Sequence, residues 1–185
     1  MRHKLCLLTL ILSVTTWGQK EAKCVVTMSS GTEITGELKK FYPNIGPPAR
    51  ITLYNEDKRI RLYAQNMDQV IINDTLKYKS LANKKGSKML MTPLVEGKPL
   101  SLYSHSSVRT GNLPGEGFSS WIYTEFYMLS GEGEPVFINE RKLIKKPEDF
   151  FPDTPALQDS IRGIKRDDLI IKNLVIAYNE IKSMN

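Results

Sequence analysis

Histidine and cysteine are scarce in this chain: two of each among 185 residues. Both early ones, His3 and Cys6, lie in a stretch expected to be removed, which leaves His105 and Cys24. One cysteine cannot close an internal disulfide. One imidazole and one thiol cannot make a zinc ligand set without several carboxylates. No nucleophile-elbow motif is present, so the common serine-hydrolase arrangement is missing too. Past Gly18 no apolar run is long enough to cross a bilayer as a helix. Such a span needs about 20 residues.

The segment 1–18 has its own pattern. Met1-Arg2-His3-Lys4 is basic, Leu5 to Val14 is almost continuously apolar, and Thr16 and Gly18 are the small residues before Gln19-Lys20-Glu21. That order predicts a secretory signal peptide over 1–18, cleaved after Gly18. Cys6 lies inside the apolar run and Cys24 follows a charged stretch, so neither suits a lipoprotein box. The mature chain of about 165 residues suits one domain or two small ones. Cys24 is expected to be a buried thiol, the alternative being an intermolecular link.

Lysine and arginine exceed aspartate and glutamate by six, and loss of Arg2 and Lys4 leaves +4. A mild basic excess is compatible with anionic envelope polymers or lipid head groups. Export argues against a nucleic-acid role and places the protein in the periplasm or outside the cell.

Period-two alternation dominates the first half. Strands are expected at 25–28, 32–38, 51–54, 59–63, 70–72 and 76–79, with Gly36 marking a bulge or bend. Residues 43–48 (Pro-Asn-Ile-Gly-Pro-Pro) read as a loop. Such closely spaced strands suggest a small curled sheet or SH3-like barrel over 19–82. A second antiparallel section follows, with strands at 88–96, 100–103, 121–129 and 135–138, and a flexible loop at 111–117. The C-terminal part turns helical. Thr154 is placed to cap a helix that starts at Pro155 and ends near Gly163. Asp167 and Asp168 open a longer helix with an apolar stripe of Ile170, Leu174, Ala177, Tyr178 and Ile181. The expected class is α+β: a curled β unit at 19–82, then antiparallel strands and C-terminal helices at 83–185, which could be one continuous domain.

Four segments, in this order, resemble a group of uncharacterised secreted proteins of Bacteroidota. They are Val26 to Gly36 around Gly31-Thr32; Val95-Glu96-Gly97-Lys98 with Ser101-Leu102-Tyr103; Phe151 to Leu157; and Ala177-Tyr178-Asn179-Glu180. Thr154 stands where that group more often has cysteine, and Thr32-Glu33 where it has aspartate-threonine. The resemblance implies export and this layout, and no established activity.

The chemistry-bearing candidates are few. His105 lies among Ser104, Ser106 and Ser107, but a nucleophilic serine wants a base held by an acid, and sequence neighbours rarely give that geometry. These residues read as an exposed, polar hairpin end. Asp149, Asp153, Asp159, Asp167 and Asp168 cluster without the spacing of a calcium loop, and helix capping accounts for most of them. Glu125, Glu132 and Glu134 contain the carboxylates a glycoside hydrolase would need, but opposition of two of them is not legible in sequence. Lys77, Lys79, Lys84, Lys85 and Lys88 form a basic run. Lys77 and Lys79 share a strand face, so they make either an anion-binding patch or the lysine guard of an edge strand. A free sheet edge could also take a peptide strand, though which edge is free is not legible. Asp74-Thr75-Leu76 and Asp159-Ser160-Ile161 match the O-glycosylation acceptor used in the suspected phylum, at Thr75 and Ser160.

The first expectation is a non-enzymatic envelope protein, a binding or scaffold module for an envelope protein or anionic envelope polymer, with no cofactor and no metal. Two alternatives stand beside it: a hydrolase of envelope glycans or peptides, and an accessory factor or chaperone for outer-membrane proteins.

Overall fold

A computed structural model describes residues 21–39, 49–56, 58–113, 117–131, 133–165 and 170–184. The expected signal peptide, the 43–48 loop, Glu132, Asp167 and Asp168 lie outside the described residues. Among the described residues the ten strands are β1 (Ala22–Met28), β2 (Glu33–Leu38), β3 (Arg50–Asn55), β4 (Lys58–Tyr63), β5 (Met67–Ile72), β6 (Leu76–Ala82), β7 (Lys88–Val95), β8 (Leu100–Leu113), β9 (Gly117–Ser130) and β10 (Val136–Phe137). Helices α1 (Glu140–Lys145), α2 (Pro155–Arg162) and α3 (Ile171–Ser183) follow. All pairings are antiparallel, and one open sheet runs in the order β10-β9-β8-β7-β6-β5-β1-β2-β3-β4. Among the described residues the protein is therefore mostly antiparallel sheet with three short helices near the C-terminal end. No helix among the described residues is long and apolar enough to cross a membrane.

Alternation in the sequence sets the first core. Ala22, Cys24 and Val26 of β1, Ile51 and Leu53 of β3, and Val70 and Ile72 of β5 all point inward, because strand side chains alternate between faces. Tyr78 and Leu90 close the same cluster from β6 and β7. The short turn Ala64–Asn66 after β4 brings the edge of the sheet back over this core, where the buried Ser80 hydroxyl donates to the Ala64 carbonyl at 2.5 Å. At the β5–β6 turn, Asn73 and Asp74 both have positive φ, 50° and 57°. A tight hairpin between right-twisted strands requires such values.

The other half of the sheet has apolar side chains on both faces. Leu100, Leu102 and Met128 pack under the helices with Leu143, Phe151, Ile161, Leu174 and Val175. Leu81, Met91, Tyr103, Tyr127 and Leu129 form a smaller cluster on the opposite face.

Several expectations change. Strands β8 and β9 have 14 residues each and pair from Leu100↔Ser130 to Leu113↔Gly117, so strand replaces most of the expected 111–117 loop. Residues 104–107 lie inside a long strand, not at a hairpin end, because β9 supplies a partner for every one of them. Thr154 precedes α2, but its hydroxyl donates backward to the Phe151 carbonyl at 2.9 Å and does not cap the helix. The buried stripe of α3 is Ile171, Leu174, Val175 and Tyr178; Ile170 precedes the helix and is exposed. Helix α1 was not anticipated. Asn139 caps it by accepting from the Lys142 N–H at 3.2 Å, and Leu143 is its one fully buried residue. Asparagine is among the preferred residues for that position.

Candidate functional site

One polar cluster is built by strands β9 and β10 and the β6–β7 turn. The β6–β7 turn is wrapped around Asn83, whose side-chain oxygen accepts from the N–H groups of Lys85 and Ser87 at 2.8 and 3.1 Å. Gly86 takes φ +78°. An L side chain rarely adopts that conformation. This turn delivers Lys84 across the smaller core cluster to β9. Its ammonium lies 2.6 Å from Glu125 Oε1 and 4.3 Å from the centre of the Phe137 ring. The Tyr127 hydroxyl donates to Glu125 Oε2 at 3.1 Å, and the Tyr127 ring meets Phe137 edge-on at 5.7 Å.

Burial of Glu125 by itself favours the neutral acid. The hydrogen bond and charge of Lys84, the Tyr127 hydroxyl and the nearby Arg109 outweigh it and hold the carboxyl below its ordinary range. Burial, then the Glu125 charge, pushes the Tyr127 phenol up to about 12. Glu125 is thus an ionised, partnered carboxylate. A general acid for glycoside cleavage needs the opposite, a carboxyl held neutral. His105 stands directly across from Glu125 in the ladder, and its Nδ1 lies 3.1 Å from the Leu90 carbonyl. Alternation puts Ser104 and Ser106 on the opposite face from His105, and the Ser106 hydroxyl bonds Thr124 Oγ1 at 2.9 Å.

The basic run divides. Lys84 is neutralised by Glu125, whereas Lys77, Lys79, Lys85 and Lys88 are exposed and form no ion pair among the described residues. Strand β6 lies between β5 and β7, so Lys77 and Lys79 do not guard an edge. The strand at that end of the sheet is β4, which carries exposed Arg59 and Arg61; the Arg-Ile-Arg-Leu alternation was a legible sign of this second cationic surface. A groove of about 590 Å³ over β1 and β2 has lysines and carboxylates of both signs on its walls, including Lys23, Glu37, Lys39 and Glu56.

Three of the late acids, Asp149, Asp153 and Asp159, lie among the described residues and face cations. Asp149 pairs with Lys142 at 2.9 Å, Asp159 with Arg162 at 2.7 Å, and Asp153 approaches Lys182 at 3.8 Å. Glu134 is exposed. Among the described residues no three His, Cys, Asp or Glu side chains converge on a point where a metal ion would sit. Thr75 is exposed in the β5–β6 turn, while the Ser160 hydroxyl donates to the Leu157 carbonyl at 2.7 Å on α2. Cys24 is buried, and burial pushes its thiol up to about 12.

No protein-family model, curated protein or solved structure matches the chain.

Proposed function

We propose that this chain is an exported protein of the bacterial cell envelope that works by binding, as a module for anionic envelope polymer. The observation that supports it most directly is the set of exposed lysines, Lys77, Lys79, Lys85 and Lys88, without counter-ions among the described residues. Lys77 and Lys79 stand on an internal strand, where edge protection gives no reason for them. Repeated cations on a rigid strand attract phosphate or carboxylate groups at low ionic strength. The curled end of the sheet is read as an SH3-like barrel, a reading supported by the Ser80–Ala64 bond that draws the β4 end toward β6. Asp74-Thr75-Leu76 is the better O-glycosylation candidate, since Thr75 is exposed and the Ser160 hydroxyl is engaged.

The test uses immobilised polygalacturonate and a salt titration. The mature protein should bind at low salt, and Lys77→Glu/Lys79→Glu/Lys85→Glu/Lys88→Glu should reduce retention by roughly tenfold or more. Retention unchanged by these four reversals ends the lysine-surface reading.

The accessory-factor reading has its own support. Val108, Ile122 and Phe118 are exposed together on the β8–β9 ribbon, a surface suited to unfolded apolar segments. Suppressed aggregation of an unfolded outer-membrane barrel protein, lost in Val108→Ser/Ile122→Ser, would favour it.

A further inference from the structure

Strand β9 has an edge that β10 covers only in part. Strand β10 pairs with Tyr127 and Met128, the Ile138 N–H donates to the Phe126 carbonyl at 2.9 Å, and the chain then leaves the sheet at Asn139. Backbone groups of an antiparallel strand alternate between its two sides. Because Phe126 faces β10, the N–H and C=O groups of Thr124, Ile122 and Ser120 face the same way, and no strand among the described residues pairs with them there. The β8–β9 ladder uses the residues in between.

Free edges are ordinarily blunted by lysine, proline, a bulge or a covering loop. Here the register is unbroken, and Phe118-Ser119-Ser120-Trp121-Ile122-Tyr123-Thr124 contains no charge and no proline. Its side chains are strand-prone. Phe118 is 77% exposed, Ile122 55% and, directly across from Ile122, Val108 46%. An isolated two-stranded ribbon of this kind is marginal in water.

The open edge is furnished at its base. Where β10 ends, a groove of about 350 Å³ lies against β9, with Tyr123, Phe137 and Arg141 in its walls. An adjoining depression of about 420 Å³ is lined by Arg141, Lys142, Lys145 and Lys146 of the α1 segment. Lys142 is paired with Asp149, but Arg141, Lys145 and Lys146 form no ion pair among the described residues. Two carboxylates line the groove: Glu125, already neutralised by Lys84, and Glu140.

We propose that the β9 edge from Ser120 to Thr124 receives an extended acidic peptide strand. The strand continues the line of β10 and takes the outward backbone groups of Ile122 and Thr124 by strand addition. Its acidic side chains meet Arg141, Lys145 and Lys146, and its apolar ones rest on Ile122 and Phe118. A second copy of the chain fits less well. The described part of its β9 carries one carboxylate, Glu125, already bound to Lys84, so it offers nothing to the α1 cations. The inference goes beyond the lysine surface of β6 and does not depend on it.

The experiment uses a fluorescein-labelled short peptide of alternating glutamate and valine, with its lysine–valine counterpart, read by anisotropy and by amide hydrogen exchange. The glutamate peptide should bind and slow exchange at Ile122 and Thr124, and the lysine peptide should bind roughly tenfold more weakly or worse. Ile122→Pro should abolish binding with little loss of melting temperature, because the N–H it removes faces away from the β8–β9 ladder. Arg141→Glu/Lys145→Glu/Lys146→Glu should weaken binding about tenfold, which decides the matter if the proline variant fails to fold. Charge reversal at Lys77, Lys79, Lys85 and Lys88 should leave peptide binding intact, so failure of the lysine-surface reading is separately visible. No binding of the glutamate peptide, equal binding of both peptides, or protection appearing at β4 would overturn the proposal. A concentration-dependent dimer protecting Ile122 and Thr124 without peptide would overturn it in favour of a second copy.

Discussion

Asn179 bonds both backbone groups of Leu100, which stands 79 positions earlier in the chain. Its Oδ1 accepts from the Leu100 N–H at 3.0 Å and its Nδ2 donates to the Leu100 carbonyl at 2.7 Å. The amide thus acts as a one-residue strand partner, and it fastens α3 to the start of β8. Replacing it leaves two part-buried backbone groups unmet. Asn179→Ala should cost about 2–3 kcal/mol, read as a lowered urea midpoint; Asn179→Asp, which loses the donor, should also destabilise. A midpoint unchanged in Asn179→Ala would show that water replaces the amide freely.

Gly97 is the counterpart of Asn179. A Cβ at Gly97 would overlap the Asn179 side-chain nitrogen and lie 3.1 Å from the Leu100 carbonyl oxygen. Gly97→Ala should therefore destabilise by about 1–3 kcal/mol, in the range of overpacked sites. In the double variant with Asn179→Ala the two losses should not add, because the overlapping atoms are gone. Strict additivity in denaturant titrations would refute the contact as the cause.

Glu125 gives stability a pH dependence of known sign. Its folded pKa is depressed. Its contribution is therefore fully present above the unfolded carboxyl value of about 4.3 and is lost as pH falls through the folded value. Glu125→Gln should lower stability at neutral pH and should flatten the acid side of the profile. Urea midpoints of both proteins from neutral pH downward check this; parallel profiles would remove Glu125 from the account.

Cys24 should be silent to thiol reagents in the folded protein. It is 2% exposed and its thiol is pushed up to about 12. Little thiolate therefore exists near neutrality, and the thiolate is the reactive form. Reaction with an aromatic disulfide reagent should be slow in buffer and complete in denaturant, with a rate that tracks opening of β1. Fast native reaction would contradict the burial.

The central strands were legible because apolar alternation is local: Val70, Ile72 and Tyr78 each announce their face through their neighbours. The part of β8 after Tyr103 was not. Its run Ser104-His105-Ser106-Ser107 has no apolar rhythm and becomes strand only because β9 lies alongside. Helix α1 has six residues and one fully buried position, too little pattern to stand out from a charged loop. Arg141, Lys145 and Lys146 were therefore missed, although Asn139 before Glu140 and Leu143 was a readable start signal. The Lys84–Glu125 pair spans 41 positions, and nothing local links the two.

By itself the sequence determined where most strands and the longer helices run and which segments carry cations. Each of these follows from the residues close to it in the chain. Only the tertiary structure decided that β6 is internal, that Lys84 is bound while its lysine neighbours form no ion pair, and that β9 beside the basic α1 segment has no strand partner beyond β10, both absences holding among the described residues. Those are facts of strand order and register, which depend on contacts between residues tens of positions apart. Gly97 and Asn179 show the same division: nothing local links them, and packing showed that they are two halves of one joint.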